Sequence, residues 1–414
     1  MTLRFLRSNP AYSRLWLGQT LSTFGDTLYD VAVVWFFVST TGSAMAASGV
    51  AIGAMVGALA GGLVAGAALD LYHPRHVMLI SDAARFLGTL AVGLALLGGH
   101  ASAHWVLYAL AAAVSFCGAF FQPARVSATP ALLSRGDLIR AGGMEGLGSG
   151  LASVLSWAAS GAIVAFVGLP GVLLIDAGTF LVSLILVLTT TWTNAPGSVP
   201  AQGGSRFSVG VRWLLRDALT RRLIAVETVH ALFSGLLYAA LPLYVLALGG
   251  DAVLFGLQGG LSALSILVAS IVLTRINSPR TGRIYGLGIA VNAVGAALMA
   301  AAPSAAPFLL GVLVAGLGIP LWTSGRLVII QTRAPEAVRG RVFAVLDGAI
   351  HVALLPAWAG GAWLADTFGP RSMMLAVPVG YVLILLAVRH GGLSGYRIGP
   401  ALAPSTLAGR TGSD

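Results

Sequence analysis

Two aspartates one helical turn apart, Asp26 and Asp30, stand in the middle of an apolar run from about Arg14 to Val38. An ionised group inside a bilayer costs about 2.5–3.5 kcal/mol or more. Each such group needs a partner, water or a changed protonation state. Two close carboxylates in a medium of low dielectric repel, which suits the pair to holding a proton or a cation. The plainer reading is that one of them only bonds a neighbouring helix. Glu227 and His230 are three residues apart on one face of another apolar run. A carboxylate–imidazole pair can pass a proton near neutral pH, and it can equally be structural. Asp176 lies in a further apolar run. It either joins the proton chemistry or bonds within its own half of the chain.

A second set of charges sits near the ends of apolar runs. Arg125 precedes Glu145 by 20 residues, and Arg326 precedes Asp347 by 21. Each pair is expected to join adjacent helix ends, either as a fastening or as a gate. Asp347 shares a face with His351. Asp70, Arg75, Asp82 and Arg85 are expected to form an inner-face charge cluster that latches two halves of the molecule in an outward-open state, the alternative being a helix-end salt bridge. The aromatics Tyr29, Trp35, Phe233, Tyr238 and Tyr244 are candidates for lining a substrate cavity, with packing as the alternative for each. Gly57, Gly61, Gly62 and Gly66, at one-turn spacings, mark a face for close helix approach.

The elements that must hold these groups are membrane-spanning helices. Charged residues are 9% of the chain and apolar residues 57%, against roughly 25% and 45–50% in soluble domains. A helix needs about 20 apolar residues to cross a hydrocarbon core. Twelve such runs are present. The expected fold is an all-α integral membrane protein with twelve transmembrane helices in two pseudo-symmetric six-helix bundles. Residues 1–13 are an N-terminal arm, 14–192 the first half, 193–222 a linker, 223–388 the second half and 389–414 a tail. The linker from Val209 is expected to lie as an amphipathic helix on the membrane surface. Phe24-Gly-Asp-Thr-Leu-Tyr29 aligns with Phe233-Ser-Gly-Leu-Leu-Tyr238, and the polar stretch from Gly66 to Arg85 has a weaker copy at Leu273 to Arg280, with Pro74-Arg75 aligning on Pro279-Arg280.

The 24 basic residues are all arginine. With the N-terminus inside, 21 of them fall in inner segments, so the positive-inside rule places both termini in the cytoplasm. Only Arg371 falls outside; Arg85 and Arg326 lie within helices. The first apolar run is too long for a cleavable signal core. The net charge of +10 lies in turns between apolar runs, which argues against nucleic acid. The one cysteine, Cys117, excludes an internal disulfide. No phosphate-binding Gly-x-x-x-x-Gly-Lys motif occurs, and no spacing reads as a metal site. Neither catalysis nor a cofactor is expected.

At this point the residues resemble a family. Gly66, Asp70 and Arg75 match part of the loop between helices 2 and 3 of the major facilitator superfamily, although Leu71 and His73 depart from its pattern. Ser81-Asp82-x-x-Arg85, Phe121-x-Pro123-Ala-Arg125, Asp176-Ala-x-Thr-Phe180 and Gln331-x-x-x-Pro335-Glu resemble the macrolide-efflux and enterobactin-exporter branch. The resemblance implies alternating-access transport in a cell membrane: export of amphipathic drugs or metabolites driven by proton entry. Other specificities of the same fold are siderophore export, nutrient import and lysolipid flipping. The implied partners are a small molecule, protons and lipid, with the protein acting as a monomer. The scarcity of arginine at mid-membrane favours a neutral or cationic substrate.

Overall fold

The computed structural model describes residues 2–99, 104–134, 137–192, 212–214, 216–276 and 278–397. It is all helical. A short α1 (Thr2–Ser8) precedes α2 (Pro10–Thr41), α3 (Ala44–Leu71), α4 (Pro74–Leu97), α5 (His104–Leu132) and α6 (Leu138–Thr189). Then follow α7 (Ala218–Ala247), α8 (Ala252–Leu273), α9 (Thr281–Ala301), α10 (Ala305–Arg333), α11 (Glu336–Phe368) and α12 (Pro370–His390). At 52 residues, α6 would be roughly 78 Å long if straight, more than twice a hydrocarbon core of about 30 Å. It breaks at Gly168 (φ 64°, ψ −178°), a conformation glycine tolerates, and Pro170 removes the next donor. The two arms of α6 are separate spans, which makes twelve.

Local chemistry sets the boundaries. Pro10 and Pro74 occupy first-turn positions, where a missing N–H costs nothing. Ser43, Asp217 and Asp251 accept backbone N–H bonds at the starts of α3, α7 and α8, the usual N-cap chemistry. Gly42 ends α2 in the left-handed conformation. Between these caps the helices are apolar on every side. Leu63, Ile80 and Phe166 are exposed, as a lipid-facing surface requires.

The helices form two bundles with matching internal contacts. In the first, α2 packs on α6, α3 on α5, and α4 on α5 and α6. In the second, α7 packs on α11, α8 on α10, and α9 on α10 and α12. The bundles meet mainly where α6 crosses α8 and α3 crosses α11. At the first crossing, a Cβ at Gly161 would lie 2.4 Å from the Ala252 carbonyl oxygen, and Trp157 packs on Gly259.

Several local expectations change. Residues 124–132 continue α5 through Pro123 and Pro130, although proline disfavours a helix interior. Ala124 and Ala128 bury against Val77 and Met78, which stabilises helix beyond the lost hydrogen bonds. The N-terminal arm contains α1. In the linker, Leu214 is buried in the second bundle's core and Trp213 packs against it, so neither faces lipid; residues 193–211 lie outside the described residues. Beyond Arg389 the chain folds back: Leu393 is buried, and the Tyr396 carbonyl accepts a bond from Gly282 N at 3.0 Å. Gly57 and Gly61 do meet the α5 backbone, whereas Gly62 and Gly66 have open space.

Candidate functional site

Two regions inside the spans carry the candidate residues, one in each bundle. In the first bundle, Asp26 and Asp30 project from the middle of α2. Asp26 is half-buried and Asp30 exposed. The second arm of α6 brings Asp176 against α2. Its approach depends on Gly25, where a Cβ would lie 2.5 Å from Asp176 Oδ1. Asp176 is fully buried, and neither carboxylate oxygen has a hydrogen-bond partner. Its charged neighbours are Asp26, Arg85 and Asp30. Tyr29 is buried among the same carboxylates, its hydroxyl unpartnered.

Arg85 is the cation of this region. It pairs with Asp82 one turn back on α4, and Asp82 Oδ2 accepts a bond from Ser183 Oγ at 2.7 Å. The guanidinium lies 4.4 Å from the Phe180 ring centroid and 5.2 Å from that of Phe121. All these partners belong to the first bundle. In this structure Asp82 and Arg85 tie α4 to α6 and, among the described residues, make no contact between halves. Asp70 is exposed, and Arg75 donates to the Leu188 carbonyl at 2.9 Å, so neither joins them.

In the second bundle, a cavity of about 260 Å³ opens among α7, α8, α9, α10, α11 and α12. Glu227 is buried at one end, with Oε1 accepting from the Tyr285 hydroxyl at 2.7 Å and Oε2 from Arg326 Nη1 at 3.0 Å. This replaces the expected Arg326–Asp347 pair. A buried carboxylate without a cation is far costlier than an exposed one left in water, and Asp347 is 74% exposed. Asp347 keeps only His351 nearby, at 3.4 Å. No hydrogen bond joins Glu227 to His230 in this structure. His230 Nδ1 lies 3.3 Å from Ser234 Oγ, which lies 3.3 Å from the Tyr381 hydroxyl. The His230 ring centroid is 4.4 Å from that of Trp322 and 5.2 Å from that of Tyr381.

The aromatic candidates divide. Tyr238 lines the cavity. Tyr244 is buried, its hydroxyl donating to the Met299 carbonyl at 2.9 Å, so it locks α7 to α9 rather than facing a substrate. Phe233 packs on Gly380. Trp35 stacks on Phe255 at 5.7 Å and closes the seam between bundles. The Arg125–Glu145 pair forms as expected, with Gln122 also bonded to Arg125.

The sequence reading overlooked Asp366, near the end of α11. Its oxygens accept from Ser43 Oγ at 2.6 Å, Ala44 N at 2.6 Å and Met45 N at 3.1 Å. Among the described residues these are the hydrogen bonds that join the two bundles. They lie at the end opposite the arginine-rich turns. A carboxylate is disfavoured at a helix C-terminus and favoured at an N-terminus. Its unfavourable place on α11 was the available signal that a partner lay elsewhere.

The sequence profile of the Major Facilitator Superfamily matches residues 15–357. The chain belongs to the major facilitator superfamily. It is a multi-pass transporter of small molecules, and not an enzyme. Among similar major facilitator proteins is the uncharacterized MFS-type transporter YfiS of Bacillus subtilis (strain 168), 23% identical over 92% of this chain and 93% of that protein. The multidrug efflux pump Tap of Mycolicibacterium fortuitum is 27% identical over 87% of this chain and 90% of its own. Tap of Mycobacterium tuberculosis is 28% identical over 94% and 93%. Among solved structures, a bacterial homolog of the human lysosomal transporter Spinster, inward-facing and unoccupied, superposes with a TM-score of 0.72 at 15% identity. It covers 94% of this chain and 98% of that one. The nucleoside transporter NupG gives 0.70 at 10% identity, covering 92% and 98%. At these identities the structural likeness concerns the fold. Among the described residues of this major facilitator protein, no group of three or more His, Cys, Asp and Glu side chains could hold a metal ion.

Proposed function

We propose that this protein exports amphipathic small molecules from the cytoplasm across the cell membrane, driven by proton entry. The observation that carries the reading is Asp176, a buried carboxylate with no hydrogen-bond partner, beside Asp26 and Asp30. Asp26, Asp82 and Asp176 share one nearby cation, Arg85, and Asp30 adds a fourth carboxylate beside Asp26. Full ionisation would leave an uncompensated charge in a low-dielectric region, so the cluster is suited to taking up and releasing protons. Exposed Asp30 is the group that meets protons arriving through the central space, and Asp176 stores one behind it. The names of the Tap relatives, multidrug efflux pumps, support efflux. The motifs at Asp82, Arg125 and Asp176 support the macrolide-efflux and enterobactin-exporter branch.

The arginine-rich end is the cytoplasmic one in this reading. The seam between bundles is then closed outside by Asp366, Trp35 and Phe255, while Asp70 and Asp347 stand exposed inside. Arg125–Glu145 and Arg326–Glu227 fasten helices within each bundle, and gating is movement of one bundle against the other. The test is dye efflux from vesicles with and without an imposed pH gradient. The Asp26→Asn, Asp30→Asn and Asp176→Asn variants are each expected to lose the gradient-driven component. Gradient-driven efflux at the unmodified rate in all three would remove this cluster as the coupling site.

A further inference from the structure

Nothing above assigns a ligand to the cavity in the second bundle. We propose that it binds a planar aromatic molecule edged with hydrogen-bond acceptors, neutral or anionic, and disfavours organic cations. The proposal rests on the reading that the protein moves small amphipathic molecules, and names their chemical class.

Three features of the wall carry it. The first is the cluster of rings. His230, Trp322 and Tyr381 stand with centroids 4.4 and 5.2 Å apart and planes tilted by 48° and 30°. Aromatic rings prefer offset or edge contact with a further ring. At about 260 Å³, the cavity lies near the lower bound of small-molecule sites, roughly 300–1,000 Å³. That suits a fused-ring compound rather than a large flexible one.

The second feature is an excess of donors. Trp322 Nε1 is buried without a hydrogen-bond partner, and so is His230 Nε2. The line from the Tyr381 hydroxyl through Ser234 to His230 Nδ1 admits either donor direction at each step; the arrangement that belongs to the proposal is the one in which Ser234 donates to Nδ1. That pattern leaves the imidazole hydrogen on Nε2. Trp322 Nε1–H, and in that tautomer His230 Nε2–H, then have no acceptor. Buried donors are rarely left so. Both atoms are closed off in this structure, so a carbonyl or carboxylate edge supplies the acceptor that the protein lacks as the two rings shift to admit it.

The third feature is charge. Both oxygens of Glu227 are occupied, by Tyr285 and Arg326, and the residue is 1% exposed. No carboxylate is free to meet a cation. Arg326 uses Nη1 on Glu227 and keeps 24% of its side chain exposed. Its remaining N–H groups are open to an oxygen acceptor, for which the planar guanidinium is well shaped. This reverses the expectation drawn from the scarcity of mid-membrane arginine: Arg326 reaches the cavity, and its exposed part favours acceptors over cations.

The test is equilibrium dialysis on the full-length protein in lipid nanodiscs, with no pH gradient. The probes are nalidixate, a planar aromatic keto-acid; coumarin, a neutral planar lactone; and ethidium, a planar cation. Nalidixate and coumarin are expected to bind saturably, and nalidixate at least about tenfold more tightly than ethidium. Trp322→Phe keeps the ring but removes its N–H, and is expected to weaken nalidixate about fivefold. The double change Glu227→Gln with Arg326→Gln keeps the net charge while removing the guanidinium, and is expected to weaken it about tenfold. Ethidium binding as tightly as nalidixate overturns the proposal, as does absence of saturable binding by both acceptor-rich probes. Unchanged nalidixate affinity in both variants, with unaltered melting temperature, also overturns it. The ranking on the unmodified protein decides the question where a variant does not fold. Because no gradient is present, the Asp176→Asn protein should keep the ranking, so this binding claim and the coupling claim fail separately.

Discussion

The two bundles share a helix pattern but treat buried charge in opposite ways. The first keeps carboxylates in excess: Asp176 has no hydrogen-bond partner, and one arginine serves the cluster. The second satisfies Glu227 completely, with Tyr285 and Arg326, and leaves ring N–H groups unmet instead. An unmet carboxylate calls for a proton; unmet donors call for an acceptor. Under the two proposals above, a repeated fold divides its labour, protons on one side and ligand on the other.

The largest expected effect tests that division directly. Asp176→Asn should remove nearly all gradient-driven efflux while leaving nalidixate binding intact. Equal loss of both would dissolve the contrast. Next in size is stability. Glu227→Gln leaves Arg326 without its anion and should cost on the order of 2–3 kcal/mol, since breaking a buried pair exceeds the value of an exposed one. Glu145→Gln, whose side chain is 32% exposed, should cost about 1 kcal/mol or less. Thermal melting of the two proteins in one detergent checks the order, and a larger loss in Glu145→Gln would contradict it.

The seam between bundles is the third target. Asp366→Ala removes three hydrogen bonds across it. In a Cys117→Ser background, a cysteine placed at Ala240 reports opening by its maleimide labelling rate. The rate should rise about tenfold, as expected for a shift near 1.4 kcal/mol. An unchanged rate would mean that apolar contact alone holds the junction.

The smallest effect concerns Asp217, which caps α7. Partial burial pushes its carboxyl up, but bonds from the Thr220 side chain, Arg333 and the Thr220 backbone together outweigh this and hold it below the usual carboxylate range. The stability it adds is therefore present above the unfolded value of about 3.9 and lost as pH falls through the lower folded value. Asp217→Ala should cost about 1 kcal/mol at pH 7, with a difference from the unmodified protein that narrows in acid. A difference constant from pH 7 down to pH 3 would exclude this linkage.

Much of the fold was legible from composition and turn chemistry. Apolar runs separated by arginine, glycine and proline determine the spans, because the bilayer admits few alternatives for an apolar backbone. Asp82–Arg85, one helical turn apart, was legible as a local pair, and Arg125–Glu145 as a pair on neighbouring helices. Glu227–Arg326 was not, although both residues drew notice. Its members are far apart in sequence, and Asp347 offered a closer-spaced partner matching the other half. Only packing reveals that α7 buries Glu227 while α11 turns Asp347 outward.

The amino-acid sequence by itself determined the membrane class, the twelve spans and the presence of costly charges within them, since each follows from solvation and local periodicity. Tertiary structure decided which charges meet. The approach of Asp176 to α2 rests on the absent side chain of Gly25. The capping of α3 by Asp366 joins groups more than 300 residues apart. Such contacts depend on the relative placement of whole helices, which local pattern does not encode.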